Sequence, residues 1–241
     1  VLLFHKIALA PFAIGDAGKI LAVMSFGMTA TIPLGYILAA FLRLPKSSVG
    51  TFVQSCFRSN MAYVGLPVIL YAFAGKQEWA GQLATLSLAP LIPYTNIISI
   101  IILARSDKSK ENSFLPLIWK SVSNPIILAC LLALPFSIFS IALPKIVERS
   151  FQALGNMALP LALLSIGSSL TFAKIKGNIL ASVTASAVNV IILPILGLFL
   201  ALFINMNNME IMIALILLAC PAASSSYVMV QQLGGDEALA G

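Results

Sequence analysis

The sequence predicts an all-α membrane protein, and three observations carry that expectation. Of 241 residues, 60% are hydrophobic and only 9% charged, with a mean hydropathy of +1.02; that balance leaves too little polar surface for a water-soluble domain. Apolar stretches recur along the chain, each near the roughly 20 residues that cross about 30 Å of hydrocarbon. The links between them are short, so no extramembrane domain is expected. A β-barrel would need segments of about 10 residues in strict alternation, whereas residues 126–134 and 211–220 are almost continuously apolar.

The elements follow in order. Residues 1–13 read as the end of a spanning helix, and 17–42 as a second segment holding Pro33. A proline is tolerable there if neighbours satisfy the carbonyl it frees. The third segment, 50–73, is interrupted by Arg58, Asn60, Gly65 and Pro67, and the fourth, 79–103, holds Pro90, Pro93 and Asn96. The most polar stretch, 105–112, comes next. A fifth segment spans 114–139 around Asn124 and Pro125, and a sixth spans 144–170 around Asn156, Pro160 and Gly167. The seventh, 178–203, contains Asn189 and Pro194; the eighth, 209–230, is broken by Pro221 and carries Ser224, Ser225 and Ser226. The chain opens at Val1 inside an apolar phrase and stops at Gly241 soon after an acidic pair, so it reads as an interior piece of a longer protein.

The second half repeats the grammar of the first. Leu2 to Phe4 match Leu164 to Ile166, Pro33 matches Pro194 and Pro67 matches Pro221, at spacings of 162, 161 and 154 residues. With five helices per unit, the second copy enters from the opposite side of the membrane, which is an inverted repeat.

Charge and composition narrow the function. The net charge is +6, but the basic residues lie singly or in small groups near helix ends, the pattern of interfacial anchors and not of a nucleic-acid surface. With the central link in the cytoplasm, seven basic residues fall inside against five outside, a small excess in the positive-inside sense. Cys56, Cys130 and Cys220 have no metal-ligand spacing and read as small buried hydrophobes. His5 is the single histidine, and neither a phosphate-binding glycine loop nor an H-E-x-x-H pair is present. No enzyme, metal site or cofactor is expected.

Polar side chains inside the apolar segments need a partner or water. Arg58, Asn60, Asn96, Asn124, Asn156 and Asn189 therefore point either to a wet ligand cavity or to hydrogen bonds between helices; for Arg58 a third reading is snorkelling to the headgroups. Two broken helices in matching positions would cross near the midplane. Their free amides suit an anion and their free carbonyls a cation. If Pro67 makes the break, Asn60 lies about two turns before it. Arg58 then points about 200° away from Asn60, as an interfacial anchor or gate.

Several phrases resemble the auxin efflux carrier family, which includes bacterial malate and organic-acid permeases. They are Phe57-Arg58-Ser59-Asn60 leading to Gly65-Leu66-Pro67, Ser123-Asn124-Pro125, and Pro160 followed by Ser165-Ile166-Gly167-Ser168-Ser169-Leu170. Ala219-Cys220-Pro221-Ala222 and Gly234-Gly235-Asp236 continue the series. The resemblance implies a ten-helix fold of two inverted five-helix repeats with two crossing broken helices, similar to bile-acid sodium symporters and sodium/proton antiporters. Scaffold helices would lie in 1–13 and 114–170, transport-domain helices in 17–103 and 178–241, and the cytoplasmic link at 104–113. It also implies transport of a small organic anion across a bacterial inner membrane, the short central link being unlike that of the plant exporters. The site residues expected from it are Asn60, Gly65, Pro67, Asn96, Pro221, Ser224, Ser225 and Ser226, with Arg58 at a gate or interface. Proton or sodium coupling stays open, as do a homodimer and the alternatives of a non-transporting sensor or an anion channel.

Overall fold

The computed structural model describes residues 14–75, 78–106, 141–169, 178–233 and 235–240, together with Phe4, His5, Ala8, Leu128, Leu132, Ala133, Pro135, Phe136 and Phe139. The link beyond Ser106, Asn124 and Cys130 lie outside these residues, and so does most of the expected fifth segment.

Helix α1, Ile14–Phe41, has 28 residues, enough at 1.5 Å per residue to cross a bilayer. It ends where Arg43 turns left-handed at φ 52°. Leu44 N–H then reaches the Ala39 carbonyl at 3.0 Å, which closes the helix end. Pro45 starts α2, Lys46–Phe57. After a break comes a π-helical turn, Met61–Gly65, that runs into α3, Leu66–Ala72. Helix α4 spans Glu78–Ser106 with Pro90 and Pro93 inside it, and α5 spans Lys145–Ser169. Asn178 caps α6, Ile179–Ala187; a second π-helical turn, Val188–Ile192, leads into α7, Leu193–Phe203. Helix α8, Asn208–Leu218, opens with a capping box between Asn207 and Glu210. After a second break come α9, Ser224–Leu233, and α10, Glu237–Ala240.

Both π-helical turns stand directly before a Leu-Pro pair, Leu66-Pro67 and Leu193-Pro194. A proline in a continuing helix clashes with the carbonyl four residues back and leaves it unpaired. Widening the preceding turn moves that carbonyl aside: Leu66 N–H bonds Met61 O and Leu193 N–H bonds Val188 O, five residues back in each case. Pro67 is therefore not the break that the sequence suggested. It sits in the first turn of α3, where a missing N–H costs little.

Three helical stretches, Ala17–Phe41, Trp79–Leu103 and Ile179–Phe203, are long and apolar enough to span a bilayer. Phe41, Ile195, Phe199 and Phe203 on them are exposed large hydrophobics, which is stable only against lipid. The protein is an all-α, multi-pass integral membrane protein. Its main core packs Ile20, Met24 and Met28 of α1 against Phe52 and Phe57 of α2, Leu88 and Leu91 of α4, and Ile213 of α8.

The interrupted helices enter from opposite faces. Helix α2 begins where α1 ends, joined to it by a tight link at Arg43. Helix α8 begins beside the start of α1, where Lys19 Nζ lies 3.6 Å from Glu210 Oε1. At about 18 and 16 Å each, α2 and α8 reach roughly halfway through the hydrocarbon. The far end of the second interrupted helix returns to the start of α2: Ser48 Oγ donates to Asp236 Oδ2 at 2.6 Å, and Asp236 N–H to Thr51 Oγ1 at 3.0 Å.

Candidate functional site

The first break consists of two reversals of the backbone. Ser59 N–H bonds Phe57 O at 3.2 Å around Arg58, at φ −92° and ψ 85°. Met61 N–H bonds Ser59 O at 2.9 Å around Asn60, at φ −80° and ψ 60°. Both are close to inverse γ-turns. The Asn60 carboxamide oxygen then accepts Tyr63 N–H at 3.3 Å and caps the π-helical turn, the task for which asparagine is favoured at helix starts.

Broken backbone inside a membrane has to be satisfied by protein. Here the two breaks satisfy each other. Asn60 N–H bonds Pro221 O at 2.8 Å and Ala223 N–H bonds Arg58 O at 2.9 Å, an antiparallel bridge centred on Ser59 and Ala222. Ser59 Oγ adds a bond to Leu218 O at 2.8 Å.

A pocket of about 100 Å³ opens beside this crossing. Its polar lining includes Arg58, Asn60, Thr95, Asn96 and Ser225, and the Tyr63 ring and Ile92 add apolar surface. It also touches Met61 and Ala223, where the second half of each interrupted helix starts. The positive ends of two helix dipoles favour an anion there.

Arg58 dominates the electrostatics. It is only 5% exposed, and its Nη2 donates to Asn96 Oδ1 at 2.7 Å and to Ser225 Oγ at 3.0 Å. Nη1 contacts the Met229 sulfur. All three partners are neutral, and among the described residues no carboxylate pairs with the guanidinium. A buried charge held only by dipoles remains costly until an opposite charge reaches it. Among the described residues, no three His, Cys, Asp or Glu side chains gather as a metal site would require.

Residues 1–240 match the family described as membrane transport protein. The chain belongs to that family, the auxin efflux carriers. A comparison with curated proteins finds no match. As a member of a transport family the carrier is not an enzyme.

The carrier's geometry sorts the residues that the sequence singled out. Asn60, Asn96 and Ser225 meet in one pocket. Arg58 joins them, which corrects the expectation that it points away from Asn60. The helical phase of 100° per residue stops at Phe57, and the two turns that follow bring both side chains to the same side. Gly65 lies outside the pocket and serves close packing instead; a Cβ there would stand 2.8 Å from Leu217 Cδ2 and 3.0 Å from Cys220 Sγ. Pro67 is buried in α3, and Pro221 contributes its carbonyl to Asn60. Ser226 is buried away from the pocket lining, its hydroxyl without a partner. Ser224 starts α9, and its side chain lies outside the described residues.

Other polar residues hold helices together. Asn189 donates from Nδ2 to Cys56 O at 3.4 Å and so ties the second π-helical turn to the end of α2. Glu210 is fully buried yet still pairs with Lys19 and caps α8. Tyr63, Ile92, Thr95 and Met229 were not foreseen as neighbours of the site. A helical period would have flagged Met229, one turn beyond Ser225, once α9 was known to start at Ser224.

Proposed function

We propose that the carrier moves small organic anions, malate or related carboxylates, across the membrane by alternating access. Arg58 carries this reading. It is a buried guanidinium without a carboxylate partner among the described residues, at the edge of a pocket, with carboxamides and two helix starts around it. A carboxylate in the pocket would accept charge-assisted hydrogen bonds from Arg58, and Tyr63 and Ile92 would cover its carbon body.

The architecture we attribute to the whole protein is ten helices in two inverted five-helix repeats. The order of long helix, half-helix, break and half-helix occurs over 14–72 and again over 179–233, and α2 and α8 enter from opposite faces; both observations support it. Residues 17–103 and 178–241 would form the transport domain, and 1–13 with 114–170 the scaffold. The face that holds Arg43 and Lys46 would be cytoplasmic, in a bacterial inner membrane.

Uptake of labelled malate into proteoliposomes tests the reading. Saturable uptake with counterflow is expected. Conductance without saturation would replace the carrier with a channel, and ligand binding without uptake across a carboxylate panel would replace it with a sensor.

A further inference from the structure

We propose that the carrier is an exchanger of singly charged anions, because its crossing site carries one positive charge, on Arg58, that no acidic side chain among the described residues neutralises. The inference rests on the transport reading above and deepens it. The chain has eight acidic residues, and among the described residues none stands at mid-depth of a span. Asp16, Glu78, Glu148 and Glu210 lie in the first turns of α1, α4, α5 and α8. Asp107 and Glu111 follow the end of α4, and Asp236 and Glu237 stand at the start of α10.

Two of these acids, Glu210 and Asp236, are also occupied. Glu210 receives Asn207 N–H on Oε2 and pairs with Lys19 through Oε1. Asp236 accepts Ser48 Oγ on Oδ2 and Leu239 N–H on Oδ1. Among the described residues Arg58 therefore meets dipoles and a soft sulfur only, from Asn96, Ser225 and Met229.

Charge bookkeeping then fixes the cycle. With one carboxylate bound, the site is neutral, and it crosses the low-dielectric interior without a net charge. Empty, it crosses as a cation, which is slower because an uncompensated charge is carried through the low-dielectric interior. With two ionised carboxylates bound, one negative charge is left over in the same pocket. A dicarboxylic acid is thus carried in its singly ionised form. The loaded step moves no net charge and ignores the membrane potential, whereas the return of the empty site moves one positive charge and responds to it.

The test uses the full-length wild-type protein in proteoliposomes, with labelled succinamate, a singly charged half-amide whose polar end slows passive leak, and, as its doubly charged counterpart, labelled succinate at a pH where both its carboxyls are ionised. Labelled succinamate is expected to enter liposomes preloaded with unlabelled succinamate at least about tenfold faster than empty ones, since exchange avoids the charged return. A potential set with potassium and valinomycin should leave exchange unchanged, and an inside-positive potential should accelerate net uptake. Succinate should exchange at least about tenfold more slowly than succinamate. Equal rates of exchange and net uptake, potential-sensitive exchange, or succinate matching succinamate would each overturn the proposal while leaving transport intact. Absence of both uptake and exchange across a broad carboxylate panel would instead overturn the transport reading itself.

Discussion

The first interrupted helix breaks over Arg58, Ser59 and Asn60, and the second over residues 219–223, Ala-Cys-Pro-Ala-Ala. One break presents a charge and a carboxamide to the pocket. The other presents mainly backbone: the Pro221 carbonyl and the Ala223 amide close the bridge to the first. The second interrupted helix contributes a pocket hydroxyl only after its break, from Ser225 on α9. The difference divides labour between selectivity and support. Side-chain changes at the first break should alter ligand affinity, and changes where the two breaks pack should alter stability.

The largest effect is expected at Arg58. Arg58→Gln removes the charge but keeps a donor, and should weaken carboxylate binding by about 1.5–3 kcal/mol, the usual worth of a charged hydrogen bond. Titration of purified protein with a transported acid would read this as a loss of roughly tenfold to more than a hundredfold. Arg58→Lys should fall between, because an ammonium keeps the charge but cannot reach Asn96 and Ser225 in the fork geometry of the guanidinium. Full affinity in Arg58→Lys would return Arg58 to the interfacial role that the sequence suggested.

Gly65 sharpens the other side of the comparison. Gly65→Ala places a methyl against Leu217 and Cys220, where α3 crosses α8. Overpacking of this kind costs about 1–3 kcal/mol, so the melting temperature in detergent should fall while the affinity of the folded fraction stays near wild type. Cys220→Ala in the same chain should recover part of the loss, since it withdraws one of the two atoms in the way. An affinity change without a stability change would mean that Gly65 belongs to the pocket after all.

The contrast also explains what could be read in the sequence. Segment ends were legible, because hydropathy and caps are local: 17–42 and 178–203 correspond to Ile14–Phe41 and to the run from Ile179 to Phe203. The position of the first break was not. Proline is the usual suspect for a broken helix, yet the π-helical turn before Pro67 absorbs it, and no residue among Arg58, Ser59 and Asn60 is a strong breaker. Their break is held by Pro221 and Ala223, more than 150 residues away in sequence. Once the break was misplaced, the helical phase separated Arg58 from Asn60. Asn96 and Ser225 were picked out for polarity, for the serine's place just after Pro221 and from the family resemblance, and only the tertiary structure shows that they share one guanidinium.

Asn60 has two tasks that substitutions can separate. Asn60→Ala removes the cap on Tyr63 N–H, which should cost roughly 1 kcal/mol of stability, and it also removes a polar group from the pocket. Asn60→Asp keeps an acceptor for the cap and adds a negative charge where an anion would sit. Its melting temperature should exceed that of Asn60→Ala while its carboxylate affinity falls further. The reverse order would show that Asn60 serves the fold alone.

The smallest effect is expected between two neighbouring serines, and it tests whether the second interrupted helix contributes to the ligand at all. Ser225 Oγ accepts from Arg58 at 3.0 Å and lines the pocket; Ser226 Oγ is buried without a partner. Ser225→Ala removes one neutral bond to the guanidinium, worth about 0.5–1.5 kcal/mol. The sign of its effect on affinity follows from what the serine does: if it steers the guanidinium toward the ligand, affinity falls by roughly twofold to tenfold. If it competes with the ligand for Nη2, affinity rises. Arg58 is also held at Asn96 and Met229, so losing one acceptor leaves the guanidinium less firmly positioned for a ligand, and a fall is the expected direction. Ser226→Ala leaves every bond of Arg58 in place and deletes a buried hydroxyl that has none of its own, a change that is neutral or stabilising. Its affinity should match wild type, with an equal or higher melting temperature. Equal losses of affinity in the two variants would mean that the whole start of α9, and not the single hydroxyl at Ser225, sets the site.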